Sequence, residues 1–350
     1  MTVPHVKAAD DRMRPVRIWL YVVAALVLLM VVVGGMTRLT ESGLSIVSWK
    51  PLSGTIPPLS LADWQAEFEA YKLIPQYTLQ HHWMSLEDFK LIFWWEWGHR
   101  FLGRFIGLAF FVPFVVFLVQ KRLTRPLVPS LAILFVLGGF QGFLGWWMVS
   151  SGLSERTEVS QYRLAAHLGA ACLLFLALIW VARSLVPERP DRRESVPTGW
   201  RWAVASLGIL LYLQLIAGAF VAGLDAGFAY NTWPLIDGSF IPKGLSVMQP
   251  FWKNLFENAL TVQFNHRMIA YLIAAYAAVL FWFGRKNPGF AGVNGWMPRI
   301  ALLIGLQILL GIATLVSVVP ISLAIGHQAL AFMLIGSVTA YSADMARIPR

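Results

Sequence analysis

Four of the seven histidines are placed where an imidazole can bind a metal-containing group. They open, or closely precede, apolar segments long enough to be helices, and they are His99, His167, His266 and His327. Ionisable side chains at the edge of a membrane-spanning bundle are costly unless they are used. Two such helices facing each other would put one imidazole on each side of a gap, which suits a planar haem with two axial ligands. We expect the other three histidines to be solvated: His5, His81 and His82.

One carboxylate stands close to these histidines. Glu96 precedes His99 by three residues, so both side chains lie on one face of a helix. The matching residue before His266 is Gln263, a neutral amide. A carboxylate in a pocket of low dielectric constant can stabilise cationic character or move a proton. We therefore predict a catalytic role for Glu96. The alternative is an exposed glutamate in the first turn of a helix, where negative charge is favourable.

Arginines follow two of the histidines. Arg100 and Arg267 come directly after His99 and His266, and Arg104 lies one turn beyond Arg100. A guanidinium pairs well with a carboxylate, so these side chains are predicted to bind haem propionates. Anchoring to lipid headgroups is an equally good interpretation of the two paired arginines.

The elements that must carry these residues are membrane helices. Of the 350 residues, 57% are hydrophobic and only 13% are charged, which excludes a soluble enzyme, a disordered chain and a nucleic-acid-binding domain. Eight apolar runs are each about as long as a helix needs to cross a bilayer. They lie near residues 18–36, 101–119, 130–149, 164–182, 202–222, 262–283, 300–318 and 322–343. The fold class is predicted as an all-α polytopic membrane protein.

The charges predict the orientation of these helices. An even number of spans places both termini on one side, and that side holds 17 of the 28 Lys and Arg residues but six of the 18 acidic residues. By the positive-inside rule, both termini are cytoplasmic and the histidines lie near the outer surface. The basic net charge of +10 is thus a signal of topology, and no nucleic-acid partner is expected.

The two halves of the chain resemble each other. Gly34, Trp49, Gly54 and Pro58 recur as Gly218, Trp233, Gly238 and Pro242, each 184 residues later, while the histidines recur at offsets of 167 and 160. Four spans in each half predict parallel repeats, as two four-helix bundles. The predicted units are a cytoplasmic tail (1–17), an N-terminal bundle (18–183) with an outer loop (37–90), a cytoplasmic linker (184–201), a C-terminal bundle (202–343) with an outer loop (223–257), and a second cytoplasmic tail (344–350).

Taken together, these residues resemble those of the haem A synthase family. The likeness rests on the run Glu96-Trp97-Gly98-His99-Arg100, on His167, on Asn265-His266-Arg267 and on His327-Gln328, and it extends from about residue 17 to 343. Some family members carry a pair of cysteines in an outer loop. This chain has Cys172 alone, in an apolar run, so it is similar to the cysteine-free branch typical of proteobacteria and mitochondria.

The resemblance implies an activity and the residues for it. Family members oxidise the C8 methyl of haem O to a formyl group, a four-electron oxidation that makes haem A for cytochrome oxidase. His99 and His167 would bind the iron of the substrate haem. His266 and His327 would bind the iron of a haem b cofactor, with Arg267 beside it, and Glu96 would be the catalytic carboxylate.

The setting implied is the bacterial inner membrane. The expected partners are an unidentified electron-transfer protein, haem O synthase, cytochrome oxidase assembly factors and further copies of the chain. Two other classes remain open. A membrane cytochrome with two haems would only carry electrons, although such proteins often place two histidines on one helix. A repeat-built transporter would require discontinuous helices and polar groups at mid-membrane.

Overall fold

The computed structural model describes residues 12–51, 53–154, 156–187, 195–290 and 292–348. In these ranges the chain forms eleven α-helices, which are α1 (Arg14–Leu39), α2 (Leu61–Tyr71), α3 (Leu86–Val119), α4 (Leu127–Val149), α5 (Gln161–Ser184), α6 (Thr198–Gly223), α7 (Ala226–Ala229), α8 (Asn254–Glu257), α9 (Ala259–Lys286), α10 (Val293–Val316) and α11 (Ile321–Ala346). His5, most of the predicted N-terminal tail, the centre of the linker (188–194) and the last two residues lie outside the described residues.

Eight of the helices are long and apolar enough to cross a membrane, namely α1, α3, α4, α5, α6, α9, α10 and α11. The eight predicted spans and the all-α polytopic fold are thereby confirmed. Each of the eight helices begins before its apolar run, and five of them also end after it, because hydropathy marks the part that suits a lipid core and not the part that is helical. The largest extension is that of α3.

The start of α3 differs from the sequence expectation. The apolar run begins near residue 101, whereas the helix begins at Leu86. The cause is a capping box in which the carboxylate of Asp88 accepts from the backbone N–H of Ser85 at 2.9 Å, while the Ser85 hydroxyl accepts from Asp88 N–H at 3.3 Å. His99 therefore lies roughly three and a half turns inside α3 and does not open it.

The long helices pack in a regular pattern. In the first half, α1 contacts α3 and α5, and α4 contacts the same two helices; in the second half, α6 contacts α9 and α11, and α10 contacts those two. Between the halves, α5 lies against α6 and α11, and α1 lies against α11. One apolar core joins the halves, with Leu20, Leu178, Leu207 and Ile335 all buried in it.

The segment between α1 and α3 packs against the ends of the helices that carry the four candidate histidines. Helix α2 packs on the extended start of α3, where the ring of Phe68 stacks on that of Phe89 at 5.0 Å between centroids. Tyr71 and Phe89 are fully buried in this second apolar cluster. This packing explains why α3 continues so far beyond its apolar run.

At the opposite end of the helices a group of polar side chains joins the two halves. Asp344 of α11 accepts hydrogen bonds from Arg183 of α5 at 2.9 Å, from Arg347 at 2.9 Å and from the Trp296 indole of α10 at 3.1 Å. Partly buried charge pairs of this kind are geometrically demanding, so they hold α5 and α11 in register.

Candidate functional site

Each of the four candidate ligand histidines faces a glycine on the preceding long helix. A methyl group added to the glycine would lie 3.2 Å from Nε2 of His99 at Gly34, 3.5 Å from Cε1 of His167 at Gly145, 3.1 Å from Cε1 of His266 at Gly218, and 2.8 Å from Cε1 of His327 at Gly311. The imidazoles therefore occupy space that a side chain would otherwise fill. The same relation between neighbouring helices occurs four times.

The histidines are arranged in two pairs. His99 of α3 lies near His167 of α5, and His266 of α9 lies near His327 of α11. Among the described residues no group of three or more His, Cys, Asp or Glu side chains is positioned to hold a metal ion. The structure thus brings the sequence-predicted ligands together two by two, one pair in each half.

The two histidine pairs are suited to a prosthetic group that contains its own metal ion. The Nδ1 atoms of His167 and His266 are buried without a hydrogen-bond partner in the described structure. An unpartnered buried polar atom costs free energy, and a lone pair on a neutral imidazole is a metal ligand. Two neighbouring imidazoles of this kind could serve as the two protein ligands of one haem iron.

Glu96 is not the exposed first-turn glutamate of the alternative interpretation. It is 2% exposed, and it lies in the middle of the helix ten residues after Leu86. Its Oε2 accepts from the Ser45 hydroxyl at 2.8 Å and from the Ile46 backbone N–H at 2.7 Å. Its Oε1 pairs with the guanidinium of Arg100 at 2.5 Å. The carboxylate is therefore buried, charge-paired and connected to the segment that follows α1.

The arginines also bind this segment. Arg100 donates to the backbone carbonyls of Ile46 at 2.8 Å and Ser48 at 3.1 Å. Arg104 donates to those of Pro51 at 2.8 Å and Lys50 at 2.9 Å. A guanidinium has five N–H donors, and Arg104 keeps a buried Nη1 that has no partner among the residues the structure describes. That donor is available to a carboxylate of a ligand.

The second half repeats the contacts of the first with one change of chemistry. Arg267 donates to the carbonyl of Tyr230 at 3.1 Å, and Tyr230 is the counterpart of Ile46 at the offset of 184 residues. Gln263 donates to the same carbonyl at 3.1 Å, where Glu96 accepts from an N–H in the first half. Arg267 is 7% exposed, and its Nε has no hydrogen-bond partner in the described part of the chain. Among the described residues, Arg267 thus forms no ion pair with a carboxylate like that of Arg100 with Glu96.

His81 departs from the sequence expectation, whereas His82 meets it. His82 is exposed, but His81 is only 7% exposed. The Nδ1 atom of His81 lies 2.7 Å from the Tyr71 hydroxyl, and its Nε2 lies 2.8 Å from the carboxylate of Glu41. Burial raises the pKa of Tyr71, so the phenol stays protonated and can donate to the imidazole. His81 thus holds the outer segment together.

Two polar residues close to the histidines were missed by the sequence reasoning. Gln214 of α6 donates to the backbone carbonyl of His266 at 3.0 Å, and Gln307 of α10 donates to that of His327 at 3.0 Å. A signal for them exists, because each glutamine precedes one of the facing glycines by four residues. The same spacing occurs at Gln141 and Gly145.

Comparisons with known proteins show the family of the chain. The family model described as cytochrome oxidase assembly protein, COX15-CtaA, matches residues 17–339. A relative named haem A synthase from Parvibaculum lavamentivorans is 55% identical over 331 residues, covering 95% of this chain and 94% of the relative. Relatives with the same name from Azorhizobium caulinodans and Bradyrhizobium diazoefficiens are 52% and 51% identical, covering 95% and 93% of this chain and 95% and 90% of the relatives.

Residues 17–339 contain all eight long helices almost completely, together with the four histidines, Glu96 and the three arginines. The match therefore includes the whole of the candidate site. The chain belongs to the COX15-CtaA family of cytochrome oxidase assembly proteins.

Proposed function

We propose that this protein oxidises the C8 methyl of haem O to the formyl group of haem A, the activity after which its relatives are named. The observation that supports it best is the duplicated pair of partly buried histidines, each facing a glycine. A family name alone does not assign residues, whereas this geometry offers one two-ligand haem site in each half. The contacts among the helices of each half support the division into two repeat-related bundles.

The half that contains Glu96 is proposed to bind the substrate. His99 and His167 would hold the haem iron, and the unpartnered Nη1 of Arg104 would meet a propionate. The Glu96–Arg100 pair places a negative charge next to a positive one in a buried setting. A preorganised carboxylate of this kind stabilises positive charge that develops during the reaction without the cost of reorganising water.

The other half is proposed to bind a resident haem b through His266 and His327. A haem b cofactor supplies one-electron chemistry at its iron. The chain contributes two axial ligands, a buried guanidinium at Arg267 and an uncharged residue at Gln263. Because position 263 carries no carboxylate, the C-terminal half is proposed to hold a haem and to relay electrons. It is not proposed to carry out chemistry on the porphyrin ring.

The protein is a multi-pass bacterial membrane protein, as its eight apolar helices and its bacterial relatives indicate. The charge distribution supports cytoplasmic termini and haem sites near the outer surface of the inner membrane. Haem O is the substrate. The proposed partners are an electron-transfer protein, haem O synthase, cytochrome oxidase assembly factors and a second copy of the chain.

The test is a pigment analysis of the purified full-length protein. Cells that produce haem O but have no haem A synthase of their own are given this chain, and the haems are extracted and separated by chromatography. Haem A, or a hydroxylated haem O intermediate, is the expected result. Haem b alone would assign the chain to the electron-carrying cytochromes, and protein without haem would overturn both haem sites.

A further inference from the structure

The two histidines of the C-terminal half are each held by an amide from the preceding helix. Besides donating to the carbonyl of His266, Nε2 of Gln214 lies 3.3 Å from the ring Nε2 of that histidine. Nε2 of Gln307 lies 3.1 Å from Nδ1 of His327. The Oε1 atoms of both glutamines are buried and have no hydrogen-bond partner within the described ranges. Each amide thus presents a donor and an acceptor beside a ligand imidazole.

The glycine four residues later completes the contact. Residues four apart lie on the same helical face, so Gln214 and Gly218 both face α9, and Gln307 and Gly311 both face α11. The glycine has no side chain, so the imidazole ring fits against it. The glutamine donates a hydrogen bond to the backbone carbonyl of the same histidine. The glycine against the ring and the amide nitrogen beside a ring nitrogen together limit the rotation of the imidazole.

The N-terminal half differs at these positions. Met30 occupies the place of Gln214, 184 residues earlier, and a thioether donates no hydrogen bond to the His99 carbonyl. In α4, Gln141 lies one turn before Gly145, but its Oε1 and the Nδ1 of His167 have no partner among the described residues. Both halves therefore have a glycine beside each histidine ring, but in the described structure the hydrogen bonds from the glutamines occur only in the C-terminal half.

We propose that Gln214 and Gln307 are positioning residues that orient His266 and His327 for permanently bound haem, and that Met30 leaves His99 free to readjust as substrate haem enters and product haem leaves. This inference rests on the proposed function, in which the C-terminal half holds the cofactor. Metal-binding histidines are oriented by a hydrogen bond to a second group, and losing that group typically costs about 10- to 100-fold in affinity.

The exchange of Gln214 and Met30 tests the inference, because each residue is already accepted at the matching place in the other half. The full-length protein is purified in detergent with its haem, and haem b transfer to excess apomyoglobin is timed. Gln214→Met and Gln307→Met should each speed that transfer by about 10- to 100-fold. Gln141→Met is the matched control, and it should leave the transfer rate of haem b unchanged.

A second readout separates positioning from a general loss of stability. The electron paramagnetic resonance g-values of a low-spin ferric haem report the orientation of its two imidazole planes, so they should shift in Gln214→Met and not in Gln141→Met. Met30→Gln should slow the release of haem from the N-terminal half. Unchanged g-values and an unchanged transfer rate in both glutamine variants would overturn the inference.

The failure of the proposed function would look different. His266→Ala is measured in the same preparation. If that variant retains haem b at the wild-type level, the assignment of the cofactor to the C-terminal half fails. If it loses haem b while both glutamine variants behave as the wild type, only the positioning role fails.

Discussion

Glu96 and Arg100 lie one turn apart on α3 and form a buried ion pair, 2.5 Å between Oε1 and Nη2. Both side chains also bind Ile46: the carboxylate accepts from its N–H at 2.7 Å, and the guanidinium donates to its carbonyl at 2.8 Å. One backbone residue of the segment after α1 is therefore clamped by two side chains of opposite charge. A role for Glu96 in the reaction must be separated from this role in anchoring.

Glu96→Gln should fold, retain haem b and accumulate haem O or a partly oxidised product. Losing the stabilisation of a transition state would lower haem A formation by about two to three decades. Removing one partner of a buried pair would also cost stability, on the order of 3 kcal/mol. Haem extraction at matched expression measures the first effect, and thermal unfolding in detergent measures the second.

Arg100→Gln is the control for that variant, since it breaks the same ion pair but keeps the carboxylate. It should destabilise the protein to a similar extent and yet retain at least about tenfold more haem A formation than Glu96→Gln. If Arg100→Gln and Glu96→Gln lose the same activity, Glu96 only anchors the segment that follows α1. Wild-type haem A from Glu96→Gln would remove its catalytic role altogether.

His266→Ala and His327→Ala should each lower the content of tightly held haem b, because each removes one axial bond in the C-terminal half. The absorbance of the pyridine haemochrome per mole of purified protein measures this. His82→Ala, at an exposed position in the outer segment, is the matched control and should retain the full content. Full haem b in both ligand variants would contradict the assignment.

Gly311→Ala should displace the His327 ring, because the new methyl would lie 2.8 Å from Cε1. We expect haem b affinity to fall by at least about tenfold, as for a misplaced metal ligand. Gly305→Ala in the same helix has no atom within 4 Å of the added methyl, so it should leave haem binding intact. Equilibrium haem titration compares the two. Equal affinities in the two variants would show that the hollow at Gly311 does not position the ring.

The orientation can be tested with introduced cysteines, since Cys172 is buried. Leu73 lies in the segment between α1 and α3, and its side chain is 85% exposed. The cysteine is introduced there as Leu73→Cys. In intact spheroplasts it should react with a maleimide that cannot cross the membrane. Arg125→Cys, exposed between α3 and α4, should react only after permeabilisation. The reverse pattern would move the histidine-bearing ends to the cytoplasmic side.

The sequence by itself determined the features that depend on local composition. Apolar runs of sufficient length predicted the eight long helices, because a bilayer core selects for hydropathy over about 20 residues. The spacing of the histidines predicted ligand positions, and their pairing in the structure follows from the helix order. Even the start of α3 has a local signal in the Ser85 and Asp88 capping box, which lies outside the apolar run.

Only the tertiary structure decided the partners of the polar groups. Ser45 and Ile46 are about 50 residues from Glu96, and Gln214 is 52 residues from His266. The burial of His81 likewise depends on its contacts with Tyr71 and Glu41, which are 10 and 40 residues away along the chain. Hydropathy and periodicity describe one helix at a time, whereas a hydrogen bond needs two atoms within about 3 Å, and only the packing of helices against one another sets that distance.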